Sequence, residues 1–199
     1  HGTSRGLGDV YKRQLLVMSK NKFKPPYWYH DNIIFSKDKI EKLKSDLKSI
    51  ASKKFEKDDN HISTYFIDAS IRPDGDFNLI YNSIVEDIMK SVGIFYKTKY
   101  TYEYWSQYYN KGMSHRAHHH ANTDQSQDAE ISWVHFLDVP EQKCFRFTDT
   151  KGNILIPEEQ LNGDIICFPS FVWHQVVTNE SDADRLVIAG NISVTHYDD

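Results

Sequence analysis

Two different periods of apolar residues divide the chain. After Ser36, the stretch DKIEKLKSDLKSIASKKF sets Ile40, Leu43, Leu47 and Ile50 at helical spacing with lysines between them, which predicts an amphipathic helix with one apolar stripe. A polar, turn-rich segment, KDDNHISTYFIDASIRPDGD, comes next. A second helix is predicted from near Phe77, with Ile80, Ile84, Val85 and Ile88 on one face and Gly93 as its C-terminal cap. Beyond Gly93 the period shortens to that of strands. TKYTYEYWSQYY is dominated by β-branched and aromatic residues, which suit a pleated, half-buried surface. Strands are predicted at about 98–109, 113–121, 130–139, 143–148, 164–168, 173–178 and 185–195, with turns at NKG, DVPEQ, DTKGN, LNGD and NESDAD. Helices followed by a run of short strands imply a mainly β fold, an antiparallel barrel or jelly roll on an N-terminal helical layer.

Composition narrows this picture without redirecting it. The 199 residues are 39% apolar and 14% aromatic, enough for one domain with its own core. The glycine-rich start HGTSRGLGDVYKRQLLV has no period and resembles translated library linker, so residues 1–17 are expected to be a non-native leader and the domain to run over 18–199. The helical support then occupies about 36–93 and the β core about 98–196. A net charge of -4 gives no basic field for nucleic acid or anionic membranes, and acids at Asp38, Glu41 and Asp46 break up the lysines of the first helix. A small-molecule or peptide-like substrate is expected; the oligomeric state stays open. Cys144 and Cys167 sit in apolar alternating stretches and read as buried thiols. With no apolar run of membrane-spanning length, a cytoplasmic location is expected.

The candidate chemistry lies among histidines. Four of the ten fall within SHRAHHH, at 115, 118, 119 and 120. On a strand, His118 and His120 share one face while His119 points away; that is ligand geometry, though a surface cluster would look the same. His174, after the apolar stretch that ends at Pro169, supplies a third imidazole, and three such ligands leave metal positions open. Arg185 begins an otherwise apolar strand. An inward arginine there needs an anion, and a small dicarboxylate matches its fork; a surface ion pair with Asp184 or Glu180 is the alternative.

The segment from Tyr109 to His120 resembles the prolyl-hydroxylase-like branch of the Fe(II)- and 2-oxoglutarate-dependent oxygenases. That family has a tyrosine, a glycine three residues on and His-x-Asp nine on, which Tyr109, Gly112 and His118 match in register. HHHAN, SWVHF, GDIICFPSFVWH and DRLVIAGN are similar to the elements H-x-H-P, SGxYY, GDLxLFPSxLxH and ERxSxxxN of a subgroup common in marine microbes and their phages. The resemblance covers about residues 105–195 and implies a double-stranded β-helix. It also implies a dioxygenase that hydroxylates its substrate and releases succinate and CO2, using Fe(II), 2-oxoglutarate and O2, with ascorbate as a reductant. Fe(II) would be held by His118, His120 and His174, and the far carboxylate by Arg185. Tyr109, Trp133 and Asn191 would contact the cosubstrate or support the ligands. Two departures stand out: the link from His120 to Ser132 is long, and His120 stands where the family has a carboxylate, a role Asp124 or Asp128 could take instead. A three-histidine zinc enzyme of cupin-like shape, or a non-catalytic jelly-roll binding module, are the competing readings.

Overall fold

Neighbouring residues along the long central strands face two separate cores, and this division lays out the molecule. In a computed structural model, residues 25–51, 61–65, 67–68, 72–92, 98–121 and 129–196 are described; the leader expected at 1–17 lies outside them. The elements run β1 (Trp28–Asn32), α1 (Lys37–Ala51), β2 (Ile62–Ser63), a 3-10 turn (Pro73–Phe77), α2 (Asn78–Ser91), β3 (Thr98–Tyr109), β4 (His115–His118), β5 (Ile131–Asp138), β6 (Phe145–Thr148), β7 (Ile154–Leu155), β8 (Asp164–Pro169), β9 (His174–Val176) and β10 (Arg185–His196). A six-stranded sheet in the order β1-β8-β5-β10-β3-β2 faces a four-stranded sheet in the order β4-β9-β6-β7. Every strand pairing within the two sheets is antiparallel, and the described residues form a β-sandwich carrying two helices.

The period-two pattern decides which side chain goes where. On one face of the large sheet, Tyr104, Tyr108, Ile131, Trp133, Leu137, Ile165, Cys167, Leu186, Ile188 and Ile192 pack against the apolar stripes of the helices. Those stripes are Leu43 and Leu47 of α1 and Tyr81, Ile84, Val85, Ile88 and Met89 of α2. On the other face, Trp105, Tyr109, Val134, Phe136, Ile166, Phe168, Val187 and Ala189 meet Phe145, Phe147 and Val176 of the small sheet. The two cysteines are free and buried, one in each core. Among the described residues no helix is long and apolar enough to cross a membrane.

The predicted strands are present, with β4 shorter than expected because its pairing with β9 is interrupted by a bulge between His115 and His118. The short strands β1, β2 and β7 were not predicted. Each lies at a sheet edge, where a strand of two to five residues shows too little alternation to register as a period. The proposed Gly93 cap lies outside the described residues.

Two positions on the helix-facing side lend themselves to test. Gly190 lies beneath Trp133, where an added Cβ would meet the indole at 2.4 Å and the Glu103 backbone oxygen at 2.6 Å. Gly190→Ala should therefore cost roughly 2–3 kcal/mol by overpacking, read as a fall of about 4–12 °C in Tm; an unchanged Tm would show that the register drawn here is wrong. His135 is buried, with Nδ1 2.9 Å from the Tyr81 hydroxyl and Nε2 2.7 Å from the Ile33 carbonyl oxygen. Burial lowers its pKa to about 4, the bond to the Ile33 carbonyl opposing the shift. Between that value and ~6.5, where an unfolded histidine titrates, the unfolded chain binds the extra proton, so stability falls on acidification through this window. His135→Gln should remove up to about 1.4 kcal/mol per pH unit of that slope in urea titrations.

Candidate metal centre

The site is assembled by strand register between the two sheets. After β3, Gly112 adopts a left-handed φ of 85°, a conformation open to glycine at little cost, and its N–H donates to the Asn179 carbonyl at 2.8 Å. The turn hands the chain from the large sheet to the small one. There β4 pairs with β9, placing His118 directly opposite His174. His120 lies past the end of β4, yet its N–H donates to the Ser170 carbonyl at 2.8 Å, which carries the pairing on to the turn before β9. His118, His120 and His174 thereby come together, their ligand nitrogens all within 4.8 Å of one another. His119 points the other way and packs edge-on against Trp173 at 4.6 Å, as period-two alternation requires.

The surroundings of the three imidazoles fit a metal. His174 is buried by Phe168 and Phe145, at ring distances of 4.9 and 5.7 Å; its sequence neighbours Phe171 and Trp173 are instead exposed. Burial first, then the nearby histidines, push the pKa of His174 far down and that of His120 to about 3, so both rings are neutral lone-pair donors near pH 7. The Nδ1 atoms of His118 and His174 each lie 2.9 Å from a backbone carbonyl, of Arg116 and Val172. Such a partner holds the proton on Nδ1 and leaves the lone pair on Nε2. Three neutral imidazoles suit Fe(II) and Zn(II) alike. Among the described residues no carboxylate lines the cavity; Asp124 and Asp128, the alternative third ligands, lie outside them together with most of the long link after His120.

Arg185 enters the same cavity from β10. It is 1% exposed and lies over the Tyr109 and Phe136 rings, its guanidinium carbon 4.8 and 5.8 Å from their centroids. Neither Nη1 nor Nη2 has a hydrogen-bond partner among the described residues, and burial lowers its pKa, Tyr109 opposing. The expected alternative does not form, because Asp184 faces the other way and takes Lys48 at 3.2 Å and the Tyr108 hydroxyl at 2.5 Å. A buried cation with two idle donors is a socket for an anion.

Of the remaining candidates, Tyr109 stands opposite Arg185 across the β3–β10 pairing and donates its hydroxyl to Gln107 at 3.1 Å. Asn191 lies beside His120, its Nδ2 3.4 Å from His120 Nδ1. Trp133 corrects the sequence-based expectation. It occupies the helix-facing side of β5, stacked on Tyr81 at 5.0 Å, because an odd position on β5 turns away from the cavity that Val134 lines. Sequence reasoning missed His61. It precedes β2, which pairs with the end of β3, and its ring stacks between Tyr109 at 5.0 Å and His115 at 4.3 Å. His115 in turn stacks on His118 at 4.1 Å. Only the pairing of a two-residue strand brings His61 here, and nothing local in its polar segment signals that.

No family model and no curated protein matches the sequence. Among solved structures, the chain is similar to a Pseudomonas putida prolyl-4-hydroxylase, with a TM-score of 0.57 and 18% identity over 84% of this chain and 91% of that one. It is also similar to the viral collagen prolyl hydroxylase of Paramecium bursaria Chlorella virus-1, solved as its 2-oxoglutarate complex, with a TM-score of 0.54 and 16% identity over 84% and 95%. A third is the non-haem α-ketoglutarate-dependent carbocyclase of nogalamycin biosynthesis, with a TM-score of 0.60 and 11% identity over 91% and 87%. At such identities the likeness is one of fold.

A buried guanidinium whose Nη atoms bond to none of the described residues is a burden on the ligand-free fold. Arg185→Met, which keeps the packing against Tyr109 and Phe136 but removes the charge, should raise the stability of the ligand-free protein by roughly 1–3 kcal/mol. Urea unfolding without added anion checks this, and a loss of stability would mean that the guanidinium is already satisfied.

Proposed function

We propose that the chain is an Fe(II)- and 2-oxoglutarate-dependent dioxygenase that hydroxylates a small or peptide-like substrate and releases succinate and CO2. The observation that carries this reading is the joint placement in one cavity of a three-imidazole cluster and a buried Arg185 whose Nη atoms have no hydrogen-bond partner among the described residues. A hydrolytic or hydrating zinc site has use for the first and none for the second. The fold shared with oxygenases of this chemistry supports the reading, as do HHHAN and GDIICFPSFVWH, on which we place the chain in the marine microbial and phage subgroup. We read the two sheets as a double-stranded β-helix.

In this assignment His118, His120 and His174 would hold the metal, and Arg185 would take the far carboxylate of 2-oxoglutarate with both Nη atoms. When bound, Fe(II) supplies the redox chemistry that couples O2 reduction to decarboxylation of the cosubstrate; ascorbate would serve as an auxiliary reductant. The protein's own part is positional. Tyr109 and Phe136 pack their rings against the guanidinium, while Phe145 and Phe168 pack against His174 and would keep water from it.

Anaerobic titration of the protein with Fe(II) and then 2-oxoglutarate should give the weak visible charge-transfer band of an iron chelate. Arg185→Ala should weaken 2-oxoglutarate binding by about 30–100-fold, the loss of a charge-assisted bidentate contact worth ~2–3 kcal/mol. If no band forms and the substitution leaves 2-oxoglutarate binding unchanged, the assignment fails. Tight Zn(II) retention in place of Fe(II) would point to the hydrolytic alternative.

A further inference from the structure

Two of the three imidazoles have partners that can only accept a hydrogen bond, and the third does not. The carbonyls of Arg116 and Val172, each 2.9 Å from the Nδ1 of His118 and His174, fix the proton there and the lone pair on Nε2. The Nδ1 of His120 faces instead the side-chain amide of Asn191 at 3.4 Å, and an amide has a donor at one end and an acceptor at the other. With Nδ1 engaged by Asn191, only Nε2 of His120 is left for a metal, and which end of the amide meets Nδ1 decides whether Nε2 carries a lone pair or the proton.

The orientation of that amide is set by its other neighbours. Asn191 pairs with Glu103 of β3 on one side and with Ser132 of β5 on the other, so the three side chains form a row across the sheet. Glu103 Oε1 lies 3.4 Å from Asn191 Nδ2 and, as a carboxylate, can only accept. Ser132 Oγ lies 2.8 Å from Asn191 Oδ1 and 3.0 Å from Ser170 Oγ; a hydroxyl accepts or donates and tolerates either end. Turning the amide over would set its oxygen against the Glu103 carboxylate. Glu103 is therefore the group that keeps Nδ2 facing His120. In that orientation Asn191 donates to His120 Nδ1, which places the ring's proton on Nε2 and withholds the lone pair from a metal shared with His118 and His174.

We propose that Asn191 is a positioning residue whose amide orientation, set by Glu103, decides whether His120 joins His118 and His174 as a metal ligand. The identity of the metal rests on the function proposed above; the tautomer of His120 does not. In one orientation the site is a two-histidine site with a spectator ring, and in the other a three-histidine site. Glu103 is exposed and lies on the cavity side of β3, so a ligand that engages its carboxylate would release the amide.

The test reads tautomer and metal affinity separately. In metal-free protein at pH 8, 15N NMR of labelled histidine should show His118 and His174 with the proton on Nδ1 and His120 with it on Nε2. Glu103→Gln replaces an exposed side chain and leaves the fold intact, but gives the amide oxygen a donor to face. It should move His120 towards the Nδ1–H form and tighten Co(II) binding by about three- to tenfold, within the range by which groups behind a ligand tune metal affinity. Asn191→Asp, whose carboxylate can only accept from Nδ1–H, should shift the tautomer in the same direction. The sign is diagnostic, because a carboxylate acting only through its charge would weaken cation binding when removed. Finding His120 already protonated on Nδ1 in the unaltered protein, or weaker Co(II) binding in Glu103→Gln, overturns the proposal. A tautomer shift in the variants with no metal bound by any of them upholds the switch and overturns the metal assignment instead.

Discussion

The pairing of β10 on both of its edges is the constraint on which the rest of the structure depends. Residues 186–192 bond to β3 on one side and to β5 on the other, so the strand's backbone groups are satisfied and every side chain is committed to one face. Leu186, Ile188 and Ile192 go to the helices, while Arg185, Val187 and Ala189 line the cavity. A slip of one residue would drive the guanidinium into the helix-packed core and leave leucine and isoleucine at the metal centre. Gly190 locks the register, since Trp133 lies where a Cβ would be, and of the neighbouring residues only a glycine fits under the indole. The large aromatic that looked like a ligand contact thus serves as the gauge that keeps Arg185 and Asn191 in place.

On that frame the cavity combines groups that folding alone would disfavour. A guanidinium with no hydrogen-bond partner at either Nη among the described residues and imidazoles held neutral by burial represent polarity removed from water with incomplete compensation. The compensation comes from the two apolar cores on either side of the large sheet, each filled by aromatic and β-branched side chains. Stacked rings run from Tyr109 through His61 and His115 to His118, so the anion socket and the metal ligands share one packed column. Ligands that restore charge balance have their binding sites prepared in advance, at a standing cost to the ligand-free fold.

Much of this was legible in the sequence where a period runs long enough to be read. The strands that became β3, β5 and β10 announce themselves by alternation, and the same alternation separates His118 and His120 from His119. It also contained the correction for Trp133: Val134 and Phe136 share the cavity face, so Trp133 had to lie opposite, but the local motif does not say which face of β5 looks at the histidines. That is settled only by pairing with β10 and β8. His61 and the edge strands β1, β2 and β7 were beyond reach for a related reason. Their positions follow from contacts distant in sequence, and two-residue strands have no period of their own. Arg185 was readable because charge in an apolar strand is a local anomaly, whereas its lack of a partner is a property of the assembled sandwich.

In the proposed assignment, an imidazole at His120 is coherent once the charges of the described cavity residues are considered together. Were a divalent ion held at the three histidines with Arg185 protonated, none of the described residues that line the cavity would supply an anion to offset them. In a low-dielectric site like charges of this kind repel unless a counter-anion enters. Under that assignment a dicarboxylate spanning both ends would supply it, neutralising metal and guanidinium in one event. A carboxylate ligand would have placed part of that compensation permanently at the metal, holding the ion more tightly and the cosubstrate less so. A third imidazole in its place would shift the balance, so that metal and anion would each depend on the other's presence. Among the described residues Glu103 is in contact with Asn191, which lies beside His120, so its influence on a bound metal would be as the orientation of a hydrogen bond more than as charge.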